Sequence, residues 1–190
     1  AGLRRVFYDD FESGGTQWAS SSDSGATWNV PGFQGRTHLL TTSAQASAFT
    51  GFTASVDNRY WRSPLFPRLP ANAVLRFQHL MRLQTTRDGG ILEISTNGTT
   101  WSNLGSLITS GGYNGTISNC CSSPIAGQQA WTGVFAGFQG VEVNLSSYAG
   151  QNVWIRFRFA SDSDTAMPSD VGWYVDNVEL FTRPAAIHNF

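Results

Sequence analysis

The side chains of this 190-residue sequence best suited to chemistry are carboxylates that stand in groups. Asp9, Asp10 and Glu12 lie together near the start, and Asp176 interrupts the apolar run GWYVDNVELF near the end. Asp88 precedes a double glycine, and Glu93 sits between Leu92 and Ile94. Asp162, Asp164 and Asp170 punctuate a polar stretch between two strand-like runs. A carboxylate inside an apolar strand is costly to bury unless it is paired or holds a cation. Lysine cannot be the partner, because all 12 basic residues are arginine. Calcium takes about six to eight oxygens from carboxylates, backbone carbonyls and water, so these groups suit a hard cation. Asp88, Asp162, Asp164 and Asp170 form a possible second metal loop.

Carboxylates across one face also suggest glycoside hydrolysis by an acid and a base or nucleophile. Asp88, Glu93 and the 162–170 loop are the residues for that reading. Against it, Asp88-Gly89-Gly90 is first a turn signal, and Glu93 alternates away from Leu92 and Ile94. A polar outer face and a solvated loop are the expectation. Other catalytic constellations are missing. The three histidines form no H-E-x-x-H pair, and no G-x-S-x-G elbow is present. His79 falls within an apolar strand, where a structural imidazole is expected.

Seven tryptophans offer stacking surfaces for sugar rings. Trp154 is the best candidate, because it alternates away from Val153 and Ile155, with Trp131 and Tyr113 beside it as possible platforms. Most tryptophans of a sandwich nevertheless serve its core. Cys120 and Cys121 are adjacent, which rules out a long-range staple between them and leaves a vicinal disulfide or two free thiols. Their flanks are turn formers, so the pair is expected in a long excursion away from the core.

The elements that must position these groups are short strands. Val153, Ile155, Phe157 and Phe159 alternate with Trp154, Arg156 and Arg158, the period-2 pattern of a half-buried strand. Similar signals predict strands at 5–11, 28–30, 37–41, 60–63, 73–83, 90–95, 101–107, 131–138, 141–144, 153–160 and 171–182. Asn97-Gly98 marks a hairpin. No window carries a capped helical period. The expected fold is all-β, a two-sheet antiparallel sandwich of the jelly-roll type, because a long connection over 106–130 suits a jelly roll better than a meander. Residues 1–182 are expected to form one domain and 183–190 a tail.

A net charge of −1 leaves no electrostatic footprint for nucleic acid, and no run of 18 apolar residues spans a membrane. Charged residues make up only 13% of a chain rich in Ser, Thr, Gly and Asn, a composition common in extracellular β-modules.

Several segments in order carry a resemblance: Asp10-Phe11-Glu12-Ser13-Gly14, Trp61-Arg62-Ser63-Pro64, the hairpin DGGILEISTNG from Asp88, GGYNGTI from Gly111, PIAGQQAWTG from Pro124, VEVNLSSYAGQNVWIRFRFASDSD from Val141 and GWYVDNVEL from Gly172. Together they resemble the MAM-like jelly-roll module that follows the catalytic domains of secreted bacterial metallopeptidases, of the fungalysin and immune-inhibitor-A types, and the related cleaved-adhesin domains. Cys120-Cys121 departs from that pattern. The resemblance implies a secreted, non-catalytic accessory module with structural calcium near Glu12 and Asp176; a jelly roll pairs its first and last strands, which would set Asp9 and Asp10 beside Asp176 and Asn177. Its implied partners are the catalytic domain of the parent peptidase and a glycan or protein ligand. A carbohydrate-binding or adhesin module is the alternative expectation.

Overall fold

Alternation decides which side of each strand faces the core. The computed structural model describes residues 3–28, 46–51, 53, 55–164 and 172–183. In chain order the strands are β1 (Arg4–Asp9), β2 (Ala19–Ser22), β3 (Ala48–Gly51), β4 (Asp57–Arg62), β5 (Ala73–Arg82), β6 (Gly89–Ser95), β7 (Ser102–Asn103), β8 (Ile108–Ser110), β9 (Gly115–Thr116), β10 (Gln129–Ala130), β11 (Gln139–Asn144), β12 (Trp154–Ser161) and β13 (Gly172–Thr182). The helical segments among the described residues are short 3-10 turns at Gly105–Leu107 and Ser146–Tyr148.

Two antiparallel sheets face each other. One runs β1-β13-β5-β11-β8, with β3 also pairing β13. The other runs β2-β4-β12-β6-β7. The first and last strands lie side by side, with Arg4 opposite Thr182 and Asp9 opposite Val178. This is the all-β jelly-roll sandwich that the strand pattern predicts.

The main core is aromatic. Phe157 of β12 meets Phe77 of β5 edge-on at 5.0 Å and Trp173 of β13 at 5.8 Å. Trp18 stacks on Trp61 at 5.7 Å. Edge-to-face contacts of this kind add to the area they bury. Gly90 is required by this packing, because a Cβ there would come within 2.5 Å of the Trp173 ring. A smaller cluster of Ile91, Ile117, Ile125, Ala130 and Ala160 lies on the outer side of the five-stranded sheet. The excursion from Gly111 to Ala130 covers it and pairs β9 with β10 on the way.

Several strand expectations differ from the fold. Residues 131–138 form isolated bridges, Trp131 to Gly90 and Val134 to Arg82, because Gly133 turns the chain at a φ of 84°. Residues 101–107 give a two-residue β7 and a 3-10 turn. Trp28 is buried outside any strand, and 29–30 and 37–41 lie outside the described residues. The Asn97-Gly98 hairpin joins β6 to β7, but its loop is longer than two residues: Ile94 pairs with Ser102, and Asn97 Oδ1 accepts the Thr99 and Thr100 amides. Of the expected tail, Arg183 is described; it donates to Glu142 at 2.6 Å.

His79 is the structural imidazole expected in β5. It is fully buried, and Trp173 Nε1 donates to its Nδ1 at 3.1 Å. The neutral ring therefore carries its proton on Nε2, which finds no hydrogen-bond acceptor among the described residues, and the ring as a whole packs in T-shaped contact with Trp131 at 4.7 Å and Phe135 at 5.2 Å. Burial lowers its pKa from 6.5 to about 3. A depressed folded value favours the neutral fold, so this contribution is complete above pH 6.5 and is lost as pH falls toward 3. Calorimetry should show the melting temperature of the parent falling between pH 6.5 and 4 more steeply than that of a His79→Leu variant.

Candidate binding face

The outer side of the five-stranded sheet divides into a covered half and an open half. The open half is organised by Glu93 of β6, which points away from the main core, as its alternation predicts. Arg156 opposes Glu93 across the β12–β6 pair and donates Nε to Oε2 at 2.5 Å. Arg158 reaches Oε1 at 3.3 Å and also donates to Asn58 at 2.8 Å. A carboxylate held this way by two guanidiniums is fixed in place. The Arg156 guanidinium lies 4.3 Å from the Tyr60 ring and 4.1 Å from the Trp101 ring, so it packs against two aromatic groups at once.

Tyr60, Trp101 and Arg156 line a groove of about 320 Å³ whose remaining walls are Ala19, Ser20, Ser21, Arg62 and Gly98. Among the described residues this lining contains hydroxyls, guanidiniums and aromatic rings but no carboxylate. A second hollow of about 560 Å³ lies beside Tyr113, Asn103, Gln128 and Gln129. Tyr113 is pinned there, donating to Asn103 at 2.8 Å and accepting from the Leu92 amide at 3.0 Å.

The aromatic candidates separate by burial. Trp131 is 1% exposed and donates Nε1 to the Gly111 carbonyl, so it is a core residue with no face for a ligand. Trp154 is half-buried on the outer face, as its alternation predicts, but the Gly98 turn packs against its ring. Trp101, also half-buried, forms the tryptophan wall of the groove. Its position in a short turn-bound segment left no period from which to foresee this role.

The acidic corner is built where β1 meets β13. Asp9 accepts from the Phe11 amide at 2.7 Å and from Trp18 Nε1 at 2.9 Å, which anchors the turn that follows β1. Asp10 accepts from the Glu12 amide, and Glu12 accepts from the Ala46 amide at 2.8 Å. Asp176 is fully buried in β13 and accepts from the Asn177 amide at 2.7 Å. The pairing of β13 with β5 shifts register between Asp176 and Glu179. The Tyr8 hydroxyl donates to Asn177 Oδ1, and its pKa is raised by burial and by the charges of Asp10 and Asp176. The four acids do not bring three carboxylate oxygens within 4.8 Å of one another.

The second acid group divides. Among the described residues the expected solvated face and loop are not found: Glu93 lies on the outer side of the sheet but is buried beneath its arginines, and Asp88 is fully buried and Asp162 is 1% exposed under the excursion. Asp88 Oδ1 accepts from the Asp162 amide at 3.1 Å, and Asp162 Oδ1 accepts from the Asp164 amide at 2.8 Å. Burial raises the Asp88 pKa to about 7; the Asp162 amide opposes this, and the charges of Asp162 and Asp164 add to it. Asp170 lies outside the described residues. Among the described residues, no carboxylate pair of the kind needed for glycoside hydrolysis opens on the groove.

Cys120 and Cys121 form a vicinal disulfide in the excursion that covers the outer face, outside the main core. Cys121 and Ser122 take left-handed backbone conformations, with φ of 65° and 63°. The Cys121 carbonyl accepts from the Ser163 amide at 3.0 Å, which ties the excursion to the end of β12.

No known family profile matches this chain. One curated relative is Bacillopeptidase F of Bacillus subtilis strain 168, 25% identical over 182 residues. The match takes in 94% of this chain but 11% of the relative, so the chain spans a small part of that protein's length. Among solved structures, the K3 cleaved adhesin domain of Lys-gingipain from Porphyromonas gingivalis superposes with a TM-score of 0.57 at 18% identity, covering 94% of this chain and 99% of that one. TmCBM61, solved in complex with β-1,4-galactotriose, superposes with a TM-score of 0.56 at 13% identity, covering 92% and 94%. The chain shares the β-sandwich jelly-roll fold of these domains.

Joining adjacent residues closes almost no loop, so the disulfide restricts the excursion locally and adds little to global stability. Reduction should shift the melting temperature by less than about 2 °C, the scale set by a few tenths of a kcal/mol. Limited proteolysis after reduction should open new cleavage between Ile117 and Gln128. A large fall in melting temperature would contradict this assignment.

Proposed function

We propose that this chain is a non-catalytic binding module of a larger secreted bacterial peptidase and that its ligand is carbohydrate, held on the open half of the five-stranded sheet. The observation that carries the reading is the groove in which Tyr60 and Trp101 flank the Arg156 guanidinium. Saccharides present apolar ring faces and rows of hydroxyls, and this lining offers aromatic surface and fixed hydrogen-bond donors in the same place. Arg62 adds a second guanidinium to the wall. The likeness to TmCBM61, a structure that holds a galactotriose, supports the ligand class. The likeness to part of Bacillopeptidase F and to a gingipain domain supports the peptidase context, in which a catalytic domain on the same chain is the partner.

Affinity electrophoresis against a panel of soluble neutral and acidic polysaccharides tests this reading, followed by fluorescence titration with oligosaccharides of the retarding polymer. Trp101→Ala should weaken binding about tenfold, because losing one aromatic contact surface costs on the order of 1.4 kcal/mol. Absence of retardation by every polysaccharide, or an unchanged affinity in Trp101→Ala, would refute it.

Calcium at the corner of β1 and β13 completes the proposal. The donor chemistry fits: Asp10, Glu12 and Asp176 are hard oxygen donors on adjoining segments, and Asp176 is fully buried. Asp9 contributes through the turn it anchors. Backbone carbonyls and water would supply the remaining oxygens. A ligand that binds only the folded state stabilises it by about 2.7 kcal/mol at a hundredfold excess over its Kd. Melting with EDTA and with calcium should therefore differ by several degrees in the parent, and Asp176→Ala should reduce that difference. Identical melting of the parent under both conditions would count against calcium.

A further inference from the structure

We propose that Gln84, Asp88 and Asp162 hold a second hard divalent cation of the calcium class beneath the disulfide-bearing excursion, on different strands and loops from the corner of β1 and β13. The acids alone do not carry this. What carries it is a set of buried oxygens left without partners: Asp88 Oδ2, Asp162 Oδ2 and Gln84 Oε1. An unsatisfied buried acceptor costs about 1–3 kcal/mol, and more when it is charged. Neighbouring protein groups leave all three unmet.

The residues that carry these oxygens are joined in a closed ring of hydrogen bonds. The Asp88 amide donates to the Gln84 carbonyl at 3.2 Å, and the Asp162 amide donates to Asp88 Oδ1 at 3.1 Å. The Asp164 amide donates to Asp162 Oδ1 at 2.8 Å, and Gln84 Nε2 donates to Asp164 Oδ2 at 3.2 Å. Asp88, Asp162 and Gln84 enter the ring through Oδ1, Oδ1 and Nε2 and leave Asp88 Oδ2, Asp162 Oδ2 and Gln84 Oε1 unpaired. The Gln84 amide orientation follows from this ring, because its NH₂ end faces a carboxylate. Thr132 Oγ1 donates to the Asp88 carbonyl at 2.7 Å and holds the turn before β6 in place.

The charge around the ring is negative. Arg87 lies 3.9 Å from Asp164 and donates to Cys121 Sγ, so it compensates Asp164 rather than the Asp88–Asp162 pair. Two buried carboxylates and an amide oxygen make an all-oxygen donor set, which suits calcium and not a soft metal. The disulfide sulfurs come within 4.8 Å of an Asp162 carboxylate oxygen and roof that side of the pair. The alternative way to settle the pair is a proton retained on Asp88.

Chelator-treated protein titrated calorimetrically with calcium chloride, with bound ions counted by native mass spectrometry, tests the site. Asp176→Ala should still take up one calcium per chain. Asp88→Asn and Asp162→Asn should each bind one calcium fewer than the parent, with unchanged near-ultraviolet circular dichroism. Gln84→Ala, at a half-buried position, keeps the test open where an Asn variant does not fold. It should weaken the same binding step at least tenfold, as loss of even an outer-sphere partner does. Parent-like calcium uptake and affinity in the folded variants, or no uptake by Asp176→Ala, would overturn the proposal and leave the protonated pair as the answer.

Discussion

Every buried acid of this fold must be met without lysine. The chain has 12 arginines and no other long cation, so neutralisation falls to guanidiniums, backbone amides, protons or ions. Glu93 is met by Arg156 and Arg158, and Asp57 by Arg59 at 2.8 Å. Glu179 is met by Arg76 at 2.6 Å and Arg5 at 2.7 Å; burial works against its charge, but these bonds outweigh it and keep its pKa below the ordinary value. A guanidinium is planar, so it can bond a carboxylate along its edge while its faces rest on aromatic rings. Arg156 does both. The contact that neutralises Glu93 therefore also shapes the groove, and an ammonium group could not do the two together.

The outer face shows how one sheet is put to two uses. At one end the excursion from Gly111 to Ala130 lays Ile117 and Ile125 over Ile91 and Ala160, making a small second core. At the other end the same face keeps its arginines and aromatics open. The boundary lies near Tyr113, whose ring meets Trp131 edge-on at 4.7 Å while its hydroxyl reaches Asn103. A covering loop that stops there gives the second hollow, beside Asn103 and Gln129, a fixed wall.

Much of the framework was legible in the sequence because burial on one face writes a period of two. Strands β5, β6, β11, β12 and β13 carry that period and were placed within a residue or two. The edge strand β2, with the sequence ASSS, has no apolar alternation, and it is held to β4 by backbone pairing. Residues 131–138 are apolar enough to read as a strand, yet they are buried as irregular chain around Gly133. The acids were legible as residue types, but their partners were not. Arg156 and Arg158 share a face by spacing alone; that Glu93 stands opposite them depends on a register between strands about 60 residues apart, which local pattern does not encode. The same holds for tryptophan: Trp131 offers a platform in sequence and Trp101 does not, yet tertiary placement buries Trp131 and leaves Trp101 half-buried on the groove.

The pairing of β1 with β13 also decides how the module responds to tension. Arg4, where β1 begins, lies opposite Thr182, where β13 ends. A pull applied through the chain on either side therefore acts on the same end of one antiparallel ladder. Its cross-strand bonds are loaded one after another, as in a zipper, and not all at once in shear. The pair would peel from Arg4 toward Asp9, and the peeling would run into the turn anchored by Asp9 and the buried Asp176 beyond it. The acidic corner is thus the place where a mechanically soft seam meets its stop.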